Sequence, residues 1–192
     1  MSRWEPDARE RLESAALELF GEHGFDRVTV PQITARAGLT TRTFFRHFVD
    51  KREVLFADAD QMPMLSARLV LDAPPELSPM ELVERGLPML ASAFEGRLDQ
   101  LKQRKAIIAG NDGLRERELQ KMERLVDAIA EAFRQRGEDD LTAAVVAETA
   151  VGVVKVALGR WIESDGQESL HAIMSASLLR IGDAFEQLRQ RR

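Results

Sequence analysis

The chain has 192 residues, 44% apolar and 31% charged, which suits a small head joined to one larger hydrophobic core. The absence of cysteine excludes a disulfide scaffold, a thiol nucleophile and Cys-ligated zinc, and it fits a cytoplasmic protein. A net charge of −5 argues against a uniformly basic nucleic-acid binder, but the charge is not uniform: nine Lys/Arg and nine Asp/Glu balance over residues 1–55, so the negative excess lies in 56–192.

The opening MSRWEPDARE carries acids and no apolar run, so it does not read as a signal peptide. No stretch approaches the roughly 20 apolar residues of a membrane span, so no membrane partner is expected. His23, His47 and His171 lie far apart, without metal-ligand spacing, and neither a metal nor a cofactor is expected. From residue 7 to 23, Leu12, Ala15, Ala16, Leu19 and Phe20 recur at three- and four-residue intervals and predict a helix packed on one stripe. Asp7 and Glu10 suit its N-terminal end.

The most informative stretch is TVPQITARAGLTTRTFFRHFVDKRE, residues 29–53. Thr29 with Gln32 is a capping-box pattern, and Pro31 falls in the first turn, where a missing N–H costs little. Gly38 supplies a left-handed residue for a tight turn, and Thr40 caps a second helix, TRTFFRHF. Two short helices joined this way form a helix-turn-helix, whose second helix can lie in the DNA major groove. Between 27 and 52 the bases Arg27, Arg36, Arg42, Arg46, Lys51 and Arg52 face only Asp50, a locally basic surface on an acidic chain.

This segment resembles the DNA-binding region of the TetR family of bacterial transcription regulators. The matching residues are Phe20, Gly24, Thr29, Ile33, Ala37-Gly38-Leu39-Thr40, Thr43-Phe44-Phe45, His47-Phe48 and Lys51, within about the first 55 residues. The sequence departs from the family pattern at Thr34 (often Ala), Arg42 (often Gly), Phe45 (often Tyr) and Val49 (often Pro), so Phe45 cannot donate a hydroxyl to a phosphate. The resemblance, with the affinity of helix N-termini and lysine for anions, assigns Thr29, Thr40 and Lys51 to DNA phosphates. Thr41, Arg42 and Thr43 open the recognition helix, where side chains reach base edges. The Arg42 fork fits guanine O6 and N7, or else meets a phosphate. Phe45 touches a thymine methyl or a sugar unless it is core, a role already filled by Phe44 and Phe48. Arg46 and His47 neighbour the DNA backbone, and His47 reads equally as an inert surface residue.

Beyond the head, set at residues 1–52, the pattern over 53–192 is helical throughout and gives an all-α protein of about nine helices. Asp50 and Glu53 form a capping box for a fourth helix, with a kink or break expected near Pro63. DAPPELS is a linker ending in the cap Ser78. A fifth helix over 79–94 should be interrupted by Gly86 and Pro88, and a sixth spans 98–109. Asp112 should cap a seventh, 113–136, striped by Leu119, Met122, Leu125, Val126, Ile129 and Phe133. The eighth, 141–163, is apolar nearly all round and should be covered on almost every side. The ninth follows an Asp165–Glu168 capping box and presents Leu170, Ile173, Met174, Ser177, Leu178, Ile181, Phe185 and Leu188 on one broad face.

No Ser/His/Asp arrangement, phosphate-cradling glycine loop or carboxylate pair stands out, so an enzyme is not expected. The resemblance implies instead a homodimer through the last two helices, a palindromic double-stranded operator and a small hydrophobic effector, most simply for a repressor. Candidate pocket residues are Met62, Leu65, Met89, Phe94, Met122, Leu125, Ile129, Phe133 and Trp161, each of which reads equally as ordinary core. The segment RKAIIAGNDGLRERELQ and Trp161 faintly resemble regulators of acyl-CoA-like ligands. In that case Lys102, Arg104, Lys105 and Arg115 meet phosphates; otherwise they form a solvated face. A ligandless structural DNA binder and an enzyme with a vestigial head are the competing readings.

Overall fold

The structure, a computed structural model, describes residues 8–57 and 59–190, and for Phe185, Leu188 and Arg189 the backbone alone. The expected roles of Asp7, Phe185 and Leu188 lie outside the described residues and side chains. Among those described, the chain is all-α. The elements are α1 (Ala8–His23), α2 (Val30–Arg36), α3 (Thr41–His47), a 3-10 turn (Glu53–Phe56), α4 (Met62–Leu71), α5 (Pro79–Glu95), α6 (Leu98–Ala109), α7 (Asp112–Gln135), α8 (Asp140–Glu163) and α9 (Leu170–Gln190). They form two compact units. One holds the chain through Asp60 together with Asp99–Gln120, and the other holds Gln61–Leu98 and Lys121–Arg192. Residue 52, the expected end of the head, lies within the first unit, past the end of α3 at His47.

In the first unit, α1 buries the expected stripe Leu12, Ala15, Ala16, Leu19 and Phe20. This stripe meets Ile33 of α2, Phe44 and Phe48 at α3, and Val54, Leu55 and Phe56 of the 3-10 turn. Ile108 and Leu114 join the same core from the α6–α7 corner. Arg104 donates to the Leu55 carbonyl at 2.7 Å and lies over the Phe56 ring at 5.1 Å, while Arg117 Nε reaches Glu53 Oε1 at 2.5 Å. Asp50 accepts the N–H groups of Arg52 and Glu53 at 2.7 and 3.1 Å, half of the expected capping box. The other half is missing because the Glu53 carboxylate is buried against Arg117 instead.

In the second unit, α5 packs on α8 and α9, and α8 on α9. Val70 of α4, Ile129, Ala132 and Phe133 of α7, and Ala143, Val146 and Ala147 of α8 form the core. Ser78 caps α5 through a full capping box: its N–H and hydroxyl donate to Glu81 Oε2 at 2.8 and 2.7 Å, and the Glu81 N–H returns to Ser78 Oγ at 3.4 Å. Arg136 holds the linker before it by donating to the carbonyls of Val70 (3.1 Å), Ala73 (2.7 Å) and Pro74 (2.8 Å).

Several expectations are corrected. The segment after Asp50 makes only a 3-10 turn, and Pro63 sits in the first turn of α4, where its missing N–H needs no partner, so it starts a helix rather than kinking one. The α5 helix runs unbroken through Gly86 and Pro88. Asn111, not Asp112, caps α7, accepting the Leu114 N–H at 3.1 Å, and Asp112 turns to Arg115. Leu119 is exposed, off the buried stripe of its helix. Ser169 stands at the start of α9, accepting the Ala172 N–H at 3.4 Å, while Glu168 pairs with Arg160 at 2.9 Å. Finally, α8 is long and apolar enough to cross a membrane by length and composition (mean hydropathy 1.8), contrary to the expectation that no stretch is. It packs against α5 and α9 as core helices do, yet leaves Leu141, Val145 and Val156 exposed within one chain.

Candidate nucleic-acid interface

The interface is built on α2, the turn and α3, and the turn is held from both sides. Gly38 takes φ +64°, and a Cβ there would come within 3.1 Å of Arg11 Nη2. That guanidinium donates to the Ala37 carbonyl at 2.6 Å, bracing the turn from α1. Arg36 ties α2 to α1 through Glu22 at 2.9 Å and Glu18 at 3.2 Å. Hydrogen bonding from Arg36 holds the Glu22 carboxyl below its ordinary range, and the two carboxylates raise Arg36 in turn. Thr34, the departure from a common Ala, is buried, and its hydroxyl donates to the Pro31 carbonyl at 3.0 Å, which satisfies the extra polar group.

The capping residues behave as expected on one side of each helix. Gln32 Oε1 accepts both the N–H and the hydroxyl of Thr29, at 2.8 and 2.9 Å. Thr40 Oγ1 accepts the Thr43 N–H at 3.1 Å and shares a hydrogen bond with the Thr43 hydroxyl at 2.9 Å. On α3, Phe44 and Phe48 face the core, their rings 5.4 Å apart. This aims the opposite face outward: Thr41, Arg42 and Arg46 are exposed, and Phe45 is 56% exposed with its edge on Phe44. Arg46 lies 3.3 Å from His47 Nε2, so those two form one polar pair at the end of the helix.

The six bases of 27–52 divide. Arg36 is engaged by Glu18 and Glu22. Lys51, expected on a phosphate, donates to the carbonyls of Phe25 (2.9 Å), Val28 (2.9 Å) and Asp26 (3.3 Å) and lies over the Phe25 ring. Arg27, Arg42 and Arg52 are exposed, with no side-chain partner among the described residues. The structure thus brings Thr29, Thr40, Thr41, Arg42, Thr43, Phe45, Arg46 and His47 onto the helix-turn-helix and turns Lys51 inward. Sequence reasoning missed the bracing by Arg11, which in the sequence is only one more charge on α1.

The candidate pocket residues all fall in the second unit. Leu125, Ile129 and Phe133 belong to its core, and Trp161 is buried. Met62, Phe94 and Met122 are half-buried, while Leu65 and Met89 are 47% and 49% exposed and are not enclosed. Of the bases suggested for phosphates, Arg104 is engaged by Leu55 and Glu118, and Arg115 by Ala109 and Asp112. Lys102 and Lys105 also have partners. A cleft of about 430 Å³ lies in the first unit, lined by Phe20, His23, Phe25, Arg27, Ile107 and Asn111 among others, and by none of the pocket candidates.

A capped, outward-facing second helix on a three-helix head, followed by a separate helical unit, defines a helix-turn-helix protein with an appended helical domain. Comparison with known proteins makes this specific. The family model of bacterial regulatory proteins, tetR family, matches residues 13–57, and that of the MftR C-terminal domain matches residues 77–186. The HTH-type transcriptional regulator TcmR of Streptomyces glaucescens is 48% identical over 46 residues, which cover 24% of this chain and 20% of that protein. The matched stretch is thus about a fifth of that regulator's length. Among solved structures, FadR of Thermus thermophilus is 25% identical with a TM-score of 0.56, covering 88% of this chain and 91% of that one. FadR of Bacillus subtilis has a TM-score of 0.60 at 16% identity, covering 88% and 95%. The chain belongs to the TetR family of bacterial regulatory proteins. Its matches are transcriptional regulators, not enzymes.

Proposed function

We propose that the chain is a homodimeric, cytoplasmic transcription repressor that binds a palindromic operator through paired copies of α3 and is released by a small hydrophobic ligand of the acyl-CoA class. The observation that carries the DNA-binding part is the outward face of α3. Thr41, Arg42, Phe45 and Arg46 stand exposed together on a helix whose other face is locked by Phe44 and Phe48. Arg42 reads a base, Thr41 and Thr43 flank it, Phe45 contacts a thymine methyl or sugar, and Thr29, Thr40, Arg46 and His47 approach the backbone.

Self-association is supported by Leu141, Val145 and Val156 on α8 and Leu179 on α9, which are 74%, 53%, 63% and 67% exposed in one chain. Packing α8 and α9 on their copies as a four-helix bundle covers these side chains and explains the apolar character of α8. Two recognition helices then meet half-sites about one DNA turn apart, roughly 34 Å. The acyl-CoA class is supported by fold neighbours that include the Bacillus subtilis FadR complex with stearoyl-CoA and the Thermus thermophilus FadR complex with lauroyl-CoA, while a SmeT–triclosan complex supports only a small hydrophobic ligand. The apolar lining would come from the second unit, around Leu125, Ile129 and Phe133 with Met62, Phe94, Met122 and Trp161 as further candidates. Release requires that the ligand bind the DNA-competent and incompetent states with different affinity.

The test is a labelled operator duplex followed by fluorescence anisotropy while lauroyl-CoA is added, with light scattering to count subunits. Release from an intact dimer is expected. Retention of the duplex at saturating lauroyl- and stearoyl-CoA removes the acyl-CoA assignment. Leu179→Glu should give monomers, and a dimer unaffected by it places the interface elsewhere.

A further inference from the structure

We propose that Lys51 is a positioning residue of the head rather than a phosphate ligand: its ammonium fixes the turn that leads into α2 against the segment that leaves α3. The proposal rests on the DNA-binding reading above. An ammonium has three N–H donors and no acceptor. Here they point at three carbonyls, those of Phe25 and Val28 at 2.9 Å and Asp26 at 3.3 Å. The same charge lies 4.4 Å above the Phe25 ring, which packs on the core residue Phe20 at 5.0 Å.

The geometry explains why a cation is needed at that point. Residues 24–29 join α1 to α2 without helical structure, and no backbone N–H among the described residues donates to the carbonyls of Phe25, Asp26 or Val28. Val28 is only 1% exposed, so its carbonyl is poorly placed for water. Carbonyls left this way carry a desolvation cost unless a donor reaches them, and a charged donor serves best. Lys51 supplies it from beyond the other end of the helix-turn-helix and so closes a ring around α2 and α3. A phosphate on the ammonium would have to displace at least one carbonyl. The neighbouring Arg52 is exposed with no side-chain partner among the described residues, so positive charge stays available to the backbone without Lys51.

The experiment compares wild type, Lys51→Met and Phe25→Leu as full chains. Amide hydrogen exchange is read in free protein, and dissociation constants are read on one selected duplex from 50 to 200 mM salt, well below melting. Methionine keeps the aliphatic stem and removes the donors. Phe25→Leu weakens the seat without touching any charge, and it keeps the question open to measurement if Lys51→Met does not fold. A positioning role predicts faster exchange over 24–30 in both variants and weaker binding, by about tenfold for Lys51→Met, as for one lost charged hydrogen bond. It also predicts an unchanged salt slope and a double variant weaker by less than the product of the two losses. A slope reduced by about 0.9 with exchange unaltered makes Lys51 a phosphate ligand and overturns the proposal. Faster exchange with unchanged affinity makes it a stability brace alone and also overturns it. If wild type selects no duplex, the DNA-binding reading itself fails. The exchange data then still report whether the clamp exists.

Discussion

Replacing Arg117 with Ala should destabilise the first unit more than replacing Glu53 does. The Glu53 carboxylate is 9% exposed and accepts from Arg117 Nε at 2.5 Å, while the Arg117 side chain is 35% exposed. Removing the partner of a fully buried charge costs about 3–5 kcal/mol. Water reaches the arginine end, and Glu53 has further interactions, so the expected loss for Arg117→Ala is about 2 kcal/mol. Glu53→Ala frees a guanidinium that can turn to solvent, and should cost about 1 kcal/mol. The double variant should recover about 1 kcal/mol relative to the sum, because each single change already breaks the same pair. Urea denaturation followed by helical circular dichroism measures all three. Additive losses, or an Arg117→Ala within about 0.3 kcal/mol of wild type, would refute the idea that this pair fastens the α6–α7 corner to the 3-10 turn.

Three further outcomes follow from individual side chains. Arg42→Ala should leave the melting temperature unchanged, because the side chain touches nothing in the free protein, and should relax preference at one operator position by about 1–3 kcal/mol; unchanged preference in a competition assay removes Arg42 from base reading. Ser78→Ala breaks the capping box of α5 and should cost about 1 kcal/mol in urea denaturation. Glu22, Glu81 and Asp139 are held below their ordinary range by hydrogen bonds from Arg36, Ser78 and Thr142 respectively. Depressed carboxyl values give stability that is present above about pH 4.3 and lost as pH falls through the folded values. Thermal melting should therefore be flat from neutral pH to about 5 and decline below about 4.3, with Glu22→Gln declining less steeply. A melting temperature that rises on acidification contradicts this sign.

The head was legible because its signals are local. The Thr29–Gln32 pair, Gly38, Thr40 and the Phe44/Phe48 spacing each act within a few residues, and each appears in the structure where the sequence places it. The α1 stripe and the Ser78 cap were legible for the same reason. What the sequence hid depends on distant partners. Lys51 looks like a phosphate ligand until the carbonyls of the preceding turn are seen around it. Glu53 completes a capping pattern in sequence but is claimed by Arg117, 64 positions later. Asp112 pairs with Arg115 while Asn111 caps α7, and the Asp165–Glu168 box gives way to Ser169 because α9 begins only at Leu170. Gly86 and Pro88 read as breaks by propensity alone, yet α5 passes through both while packing on α8 and α9, a case of tertiary contact overriding local preference. In the second unit, apolar residues fill the core and supply the pocket candidates alike, so composition did not separate one role from the other.

Sequence-specific recognition of DNA by a dimer can be measured by selecting bound duplexes from a random pool at a stated near-physiological salt. A dimeric regulator should recover one palindrome whose half-sites lie about one helical turn apart. Recovery of only salt-sensitive binding without sequence preference would contradict it.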